Sequence, residues 1–364
     1  MSGIGAEPAP APGQDGTAGT PGRTPGAIIG ADNPTSLAGE PMMLPPMESS
    51  CGSTDITVSR VLPSVMLLVD GSQSMLDPYG DPVLDMPDGG VADPAMQGAA
   101  PAQSQRWTAV RDALVDPDDG VVAKLEGLVR FGLAVYGTTP QCPLPLGTLE
   151  PVLHNYQAIE ASLPQQPPGL TTPTGIALDR IVDLLPDPKQ ALDETIGPQI
   201  IILATDGDPN SCELPLQNYE PSIQAAMKAQ AKNLRMYVIS VGQDAAEAHL
   251  QEMANLGASM DRFANPGAEV YYPEDPAGLA ATLETLIGDE LSCELTLDGK
   301  GVKQGSECRG LVTLNGEELE CNGPDGWSLT DSKTITLQGA SCEIFKNASD
   351  AMLRANFPCD LLVE

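Results

Sequence analysis

Two aspartates in this sequence each end an apolar run and precede a glycine: Val65-Met66-Leu67-Leu68-Val69-Asp70-Gly71-Ser72-Gln73-Ser74 and Ile200-Ile201-Ile202-Leu203-Ala204-Thr205-Asp206-Gly207. The first run continues into hydroxyls at alternate positions, Ser72 and Ser74. A third hydroxyl, Thr172, stands between the two runs in Gly169-Leu170-Thr171-Thr172-Pro173-Thr174-Gly175. Three hydroxyls and two carboxylates form a hard oxygen donor set, suited to magnesium or manganese, with calcium also admissible, and unsuited to zinc or copper.

Bringing these residues together requires a sheet. Five consecutive apolar residues before Asp70 suit a central parallel strand covered on both faces, because such strands lose the alternation of a half-exposed one. Further strands are expected at 129–136, 200–204, 236–241 and 270–272. Helices are expected over 107–114, 121–128, 156–163, 223–233, 245–256 and 276–287, the last capped by Asp275. Strand and helix alternate, which predicts an α/β, mostly parallel, doubly wound sheet. In such sheets ligands collect beyond the carboxyl ends of the strands, where Asp70, Ser72, Ser74 and Asp206 would lie, with Gly71 giving the backbone room to turn. Thr172 is expected to cap a helix whose first residue is Pro173, and its hydroxyl has two possible duties, a backbone amide or a metal ion.

In order and spacing, Asp-x-Ser-x-Ser, a distant Thr before a helix, and Thr-Asp-Gly after a later strand resemble the metal-ion-dependent adhesion site of the von Willebrand factor type A family. The resemblance covers roughly residues 55–290. It implies the Rossmann-like fold of that family and a divalent ion held by Asp70, Ser72, Ser74, Thr172 and Asp206, with the two carboxylates acting partly through water. An ion held mostly by neutral oxygens stays electrophilic. It would then take a carboxylate from an Asp or Glu of a protein partner, which is the family's adhesion mechanism. Two other readings remain open: a structural or sensory domain that holds metal without adhesion, and a metal-dependent hydrolase. The hydrolase reading lacks a histidine near either motif and a Gly-x-Ser-x-Gly elbow, so the expectation is a protein that is not an enzyme.

The acidic balance, 50 Asp and Glu against 18 Lys and Arg for a net charge of −32, argues against nucleic acid or an anionic membrane as partner. It equally suits a protein kept soluble by its charge. Eight cysteines with no Cys-x-x-Cys pair and only two histidines read as disulfides rather than a zinc site, and disulfides place the chain in an extracytoplasmic setting, secreted, periplasmic or tethered at a cell surface. No secretory signal opens this sequence, and no apolar run reaches the roughly 18 residues of a membrane span, so a lipid or surface anchor would lie upstream.

Residues 1–50 are rich in Pro, Gly and Ala and read as a disordered tether. Residues 51–290 read as the type A domain, in which Cys51 to Arg60 supplies an edge strand before the central one. Asp77, Asp81, Asp85 and Asp88 lie in a proline-rich loop that is either a second metal site or a solvated lid. Cys142 and Cys212 are expected to pair, each following a strand at the metal side. Residues 291–364 hold five of the eight cysteines and hairpin signals at Asp298-Gly299, Asn315-Gly316 and Gln338-Gly339, which predict a small disulfide-stapled β domain. Gly326-Trp327 and Phe357-Pro358-Cys359 are similar to the tails that follow type A domains in secreted bacterial proteins. Asn347-Ala348-Ser349 matches a glycosylation acceptor triplet.

Overall fold

After two short strands, β1 (Ser53–Ile56) and β2 (Val58–Arg60), the chain enters β3 (Ser64–Asp70), in which all seven residues are buried. The structure is a computed structural model and describes residues 52–79, 104–137, 146–190, 197–210, 217–242, 245–348 and 350–363. The tether at 1–50, Asp81, Asp85 and Asp88, and the expected Cys142 and Cys212 pair all lie outside those residues.

The next elements are helices α1 (Arg106–Val115) and α2 (Val121–Leu125), strands β4 (Arg130–Tyr136) and β5 (Thr148–Val152), helices α3 (Tyr156–Ser162) and α4 (Thr174–Leu184), and strand β6 (Gln199–Thr205). They are followed by α5 (Glu220–Ala231), β7 (Arg235–Ser240), α6 (Glu247–Gly257) and α7 (Pro276–Asp289). The strands form one sheet in the order β5-β4-β3-β6-β7, parallel except for the antiparallel edge strand β5. Alternate residues of β3 serve the two faces. Val65, Leu67 and Val69 pack with α1, α2 and α7, while Met66 and Leu68 pack with α4, α5 and α6. Trp107 is in the first of these cores, with its indole N–H donating to Pro164 O at 2.9 Å. Asp275 caps α7, its Oδ1 accepting from Gly278 N at 2.7 Å. Residues 270–272 do not make the expected sixth strand: Tyr271 forms a single parallel bridge to Ile239, and Pro273 follows.

The remaining strands are β8 (Glu294–Leu297), β9 (Gly301–Val302), β10 (Leu311–Leu314), β11 (Glu317–Glu318), β12 (Trp327–Leu329), β13 (Thr334–Leu337), β14 (Leu353–Pro358) and β15 (Leu362–Val363), with helix α8 (Gly339–Asn347) between β13 and β14. They form sheets in the orders β1-β14-β10-β11 and β12-β13-β8-β2, and a pair β15-β9. Residues 53–60 therefore do not edge the parallel sheet. Ser53 pairs with Pro358 and Val58 with Leu297, because the half-apolar alternation of these short strands fits a one-sided β core rather than a sheet covered on both faces. Arg60 fixes the join, donating to Phe345 O at 2.7 Å with its guanidinium 4.0 Å from the Phe345 ring.

This core gathers Ile56, Leu295, Val312, Trp327, Ile335, Phe345 and Phe357, with Trp327 and Phe357 edge to face at 5.9 Å. Disulfides Cys293–Cys342 and Cys308–Cys321 staple it, and no described cysteine is free. Of the three expected hairpin turns, only Asn315-Gly316 joins paired strands, β10 and β11, with φ of 53° and 88°. Asp298-Gly299 is a turn whose flanking strands pair elsewhere, β8 with β13 and β2, and β9 with β15. Gln338-Gly339 opens α8 instead, because Asp325 Oδ1 accepts from Ala340 N at 2.9 Å and stabilises a helix start there.

Candidate metal centre

The candidate residues sit at the carboxyl ends of β3 and β6. After Asp70 the chain turns at Gly71, whose N–H donates to Tyr136 O at 2.6 Å and whose carbonyl accepts from Gly169 N at 2.8 Å. A Cβ at Gly71 would meet Pro168 Cδ at 2.7 Å and Val135 Cγ1 at 2.9 Å, so the close approach of the 168–169 loop requires glycine.

Asp70 and Asp206 are both fully buried. Asp70 Oδ1 accepts from Ser72 N at 2.9 Å, and Oδ2 from Thr205 Oγ1 at 2.8 Å and Tyr136 OH at 3.4 Å. Ser74 Oγ donates to Asp206 Oδ1 at 2.9 Å. Its single proton is thereby used, and Ser72 Oγ, 2.9 Å away, is the donor in the Ser72–Ser74 contact. Asp206 Oδ2 accepts from Arg106 Nη1 at 3.1 Å. Four of the five expected residues, Asp70, Ser72, Ser74 and Asp206, thus form one hydrogen-bonded group.

Thr172 reaches this end of the sheet through its backbone. Its N–H donates to Asn210 Oδ1 at 2.9 Å and its carbonyl accepts from Asn210 N at 3.0 Å, which binds it to the loop four residues beyond Asp206. It is not the expected helix cap. Pro173, at φ −78° and ψ 53°, is still outside the helix, and α4 begins at Thr174 without a side-chain cap. Thr174 Oγ1 instead donates to Tyr136 OH at 3.2 Å.

Burial, and after it the charge of Asp206, raises the Asp70 carboxyl above the usual carboxylate range, against the hydrogen bonds from Ser72 and Thr205 that favour the anion. Burial and Asp70 likewise push the Tyr136 phenol well above its ordinary value, so it stays protonated and donates. Two buried carboxylates stand beside one guanidinium, and the burial and mutual repulsion that raise Asp70 are what a bound cation would relieve. Among the described residues no cluster of three or more His, Cys, Asp and Glu side chains is set for a metal ion, so an ion here would depend on hydroxyl oxygens. Ser72 and Ser74 present two such oxygens, and the donor set fits a hard divalent cation. Among the described residues a Cβ at Gly207 would meet only Ser74 Oγ, at 3.9 Å, which leaves that hydroxyl approachable.

Sequence reasoning missed Arg106, Thr205, Tyr136, Thr174 and Asn210. For Arg106 a signal existed. A basic residue opening α1 opposes the positive end of the helix dipole, a local cost that calls for a compensating acid.

No curated protein sequence matches the chain. Among solved structures it is similar to proximal thread matrix protein 1 from the mussel byssus, at 17% identity over 67% of this chain and 52% of that one, with a TM-score of 0.39. It thus spans about half of the mussel protein's length. It is also similar to the pilus adhesin SpaC of Lactobacillus rhamnosus GG, at 12% identity over 82% of this chain and 40% of that chain (TM-score 0.40). A third similarity is to the manganese-loaded TRAP protein of Plasmodium vivax, at 16% identity over 72% of this chain and 89% of that chain (TM-score 0.38). The family model for the von Willebrand factor type A domain matches residues 64–269, more than half of the sequence, and the chain belongs to that family.

Proposed function

We propose that this protein is a metal-dependent adhesion module in which Asp70, Ser72, Ser74, Thr172 and Asp206 hold one magnesium or manganese ion and a partner protein supplies an Asp or Glu to it. Calcium fits the same donors less closely, because it takes more ligands at longer distances. The observation that carries this reading is the buried Asp70–Asp206 pair linked through Ser72 and Ser74. A bound divalent ion would favour the ionised form of both carboxylates; Asp70, Asp206, Arg106 and the ion then sum to +1, which a carboxylate ligand offsets. Neither histidine belongs to the group: His154 follows β5, and His249 lies in α6 against Tyr219. The group therefore holds no imidazole, and the reading we favour is binding to a partner carboxylate.

The stapled β sheets suit an oxidising, extracytoplasmic setting, and the Pro/Gly/Ala composition of residues 1–50 suits a spacer between an upstream anchor and the binding head. No helix among the described residues is long and apolar enough to cross a membrane. The test is capture of partner proteins on immobilised protein with magnesium and with chelator, alongside Ser72→Ala/Ser74→Ala. Chelation and the double substitution should each abolish capture. Capture that persists in both overturns the reading.

A further inference from the structure

Arg106 is the one group in this cluster that a hydroxyl-rich metal site does not call for. It is 8% exposed, opens α1 where the helix dipole disfavours a cation, and places Nη1 3.1 Å from Asp206 Oδ2. The fold provides space for it. A Cβ at Gly242, just beyond β7, would lie 2.7 Å from Arg106 Cζ, so the guanidinium occupies the space that any larger residue there would fill. The backbone also holds it in place. Arg106 N donates to Asp77 O at 3.0 Å, and Tyr79 N donates to Ser104 O at 2.7 Å, which ties the segment after Ser74 to the start of α1. A second carboxylate stands on the outer side: Asp77 Oδ2 is 4.0 Å from the same Nη1, on a side chain that is 61% exposed.

We propose that Arg106 is an internal counter-ion that competes with the divalent metal for Asp206. This rests on the metal reading above. Without the ion, the guanidinium supplies the positive charge that keeps two buried carboxylates in one folded site. An ion that took Asp206 as a ligand would share it with this fixed positive charge and be repelled by it, so Arg106 lowers metal affinity while stabilising the metal-free fold. Asp77 moderates both effects by offsetting part of the guanidinium charge from the solvent side. A residue that served only to position Asp206 would have the opposite signature, since its loss would weaken metal binding.

The test is calorimetric titration of wild type, Arg106→Gln and Asp77→Asn with magnesium and with manganese, together with melting temperatures in chelator and in metal. Wild type should bind. Arg106→Gln should melt lower in chelator, gain more on metal addition than wild type, and bind metal about tenfold more tightly, because a fixed charge at this range acts strongly in a buried setting. Asp77→Asn should shift affinity the other way, about twofold weaker, since Asp77 is exposed and screened. Metal affinity in Arg106→Gln that equals or falls below wild type overturns the proposal. If that variant fails to fold even with metal, Asp77→Asn decides, and unchanged or tighter binding there overturns it. A wild type that binds neither ion overturns the metal reading itself, and that arm alone shows which of the two has failed.

Discussion

In the parallel sheet, β3 and β6 are each seven residues long and buried at every position, with a separate helical layer on each face. In the C-terminal β body the strands run from two to six residues, β8, β10, β13 and β14 alternate in burial, and the strands share one core closed by Cys293–Cys342, Cys308–Cys321 and the Trp327–Phe357 contact. A strand buried on both faces carries its stability in its own side chains. A strand buried on one face depends on which partner it finds, and covalent links reduce the number of wrong choices.

Removing Cys293–Cys342 by paired substitution to Ser should have the largest effect, about 4 kcal/mol, because the bridge closes 49 residues of sequence; Cys308–Cys321 closes 13 and should contribute about 3 kcal/mol. Denaturant melts followed by hydrogen exchange over residues 291–364 should show the loss while metal binding at Asp70 persists. Loss of metal binding in step with the β body would break the contrast between the two regions. Leu68→Ala, at a fully buried site in β3, should cost about 3 kcal/mol and act on the sheet first, which hydrogen exchange would resolve by region.

Mild acid should separate the regions more gently. Burial lowers the His249 imidazole to about 4, an effect to which Arg262 adds and which Asp208 and Glu252 oppose. The folded state thus binds fewer protons than the unfolded one. Its contribution is whole above about 6.5 and is lost as pH falls toward about 4, on the order of 2 kcal/mol. No histidine lies in residues 291–364, so this loss should fall on the sheet, where the raised Asp70 carboxyl pulls the other way by taking up a proton in the folded state. His249→Gln should therefore raise the melting temperature at pH 4.5 relative to pH 7 when compared with wild type. The smallest effect is expected at Lys228, which bridges Asp179 at 2.7 Å and Asp183 at 2.8 Å on the exposed α4–α5 surface. Lys228→Ala should move the melting temperature by no more than about 2 °C.

The same contrast explains what could be read from sequence. Val65–Val69 and Ile200–Ala204 announce buried strands by continuity alone, and the polar residues that end them mark the site. Residues 53–60 alternate just as an edge strand should, yet alternation names no partner, and theirs lie far off, β1 against β14 (Thr54 opposite Phe357) and β2 against β8 (Val58 opposite Leu297). Thr172 before Pro173 has the chemistry of a cap, but the paired bonds to Asn210 set its backbone outside the helix. The partner of Arg106 is hidden for a similar reason. Asp206 is a hundred residues on, and no spacing rule links a helix start to a strand end across a sheet.

The pairing of β1 with β14 also decides where mechanical tension would travel. The stretch from residue 61 to residue 292 departs from the β body after β2 and rejoins it at β8, as a side branch. Because Ser53 lies opposite Pro358 in an antiparallel ladder, a pull applied at these two points starts at one end of the ladder and opens it rung by rung, as a zip opens. The load falls on the β1–β14 ladder, which neither Cys293–Cys342 nor Cys308–Cys321 spans, and bypasses the sheet. The cluster around Asp70 and Asp206 would hang off the loaded line, and a load on the chain would reach it only through whatever it grips.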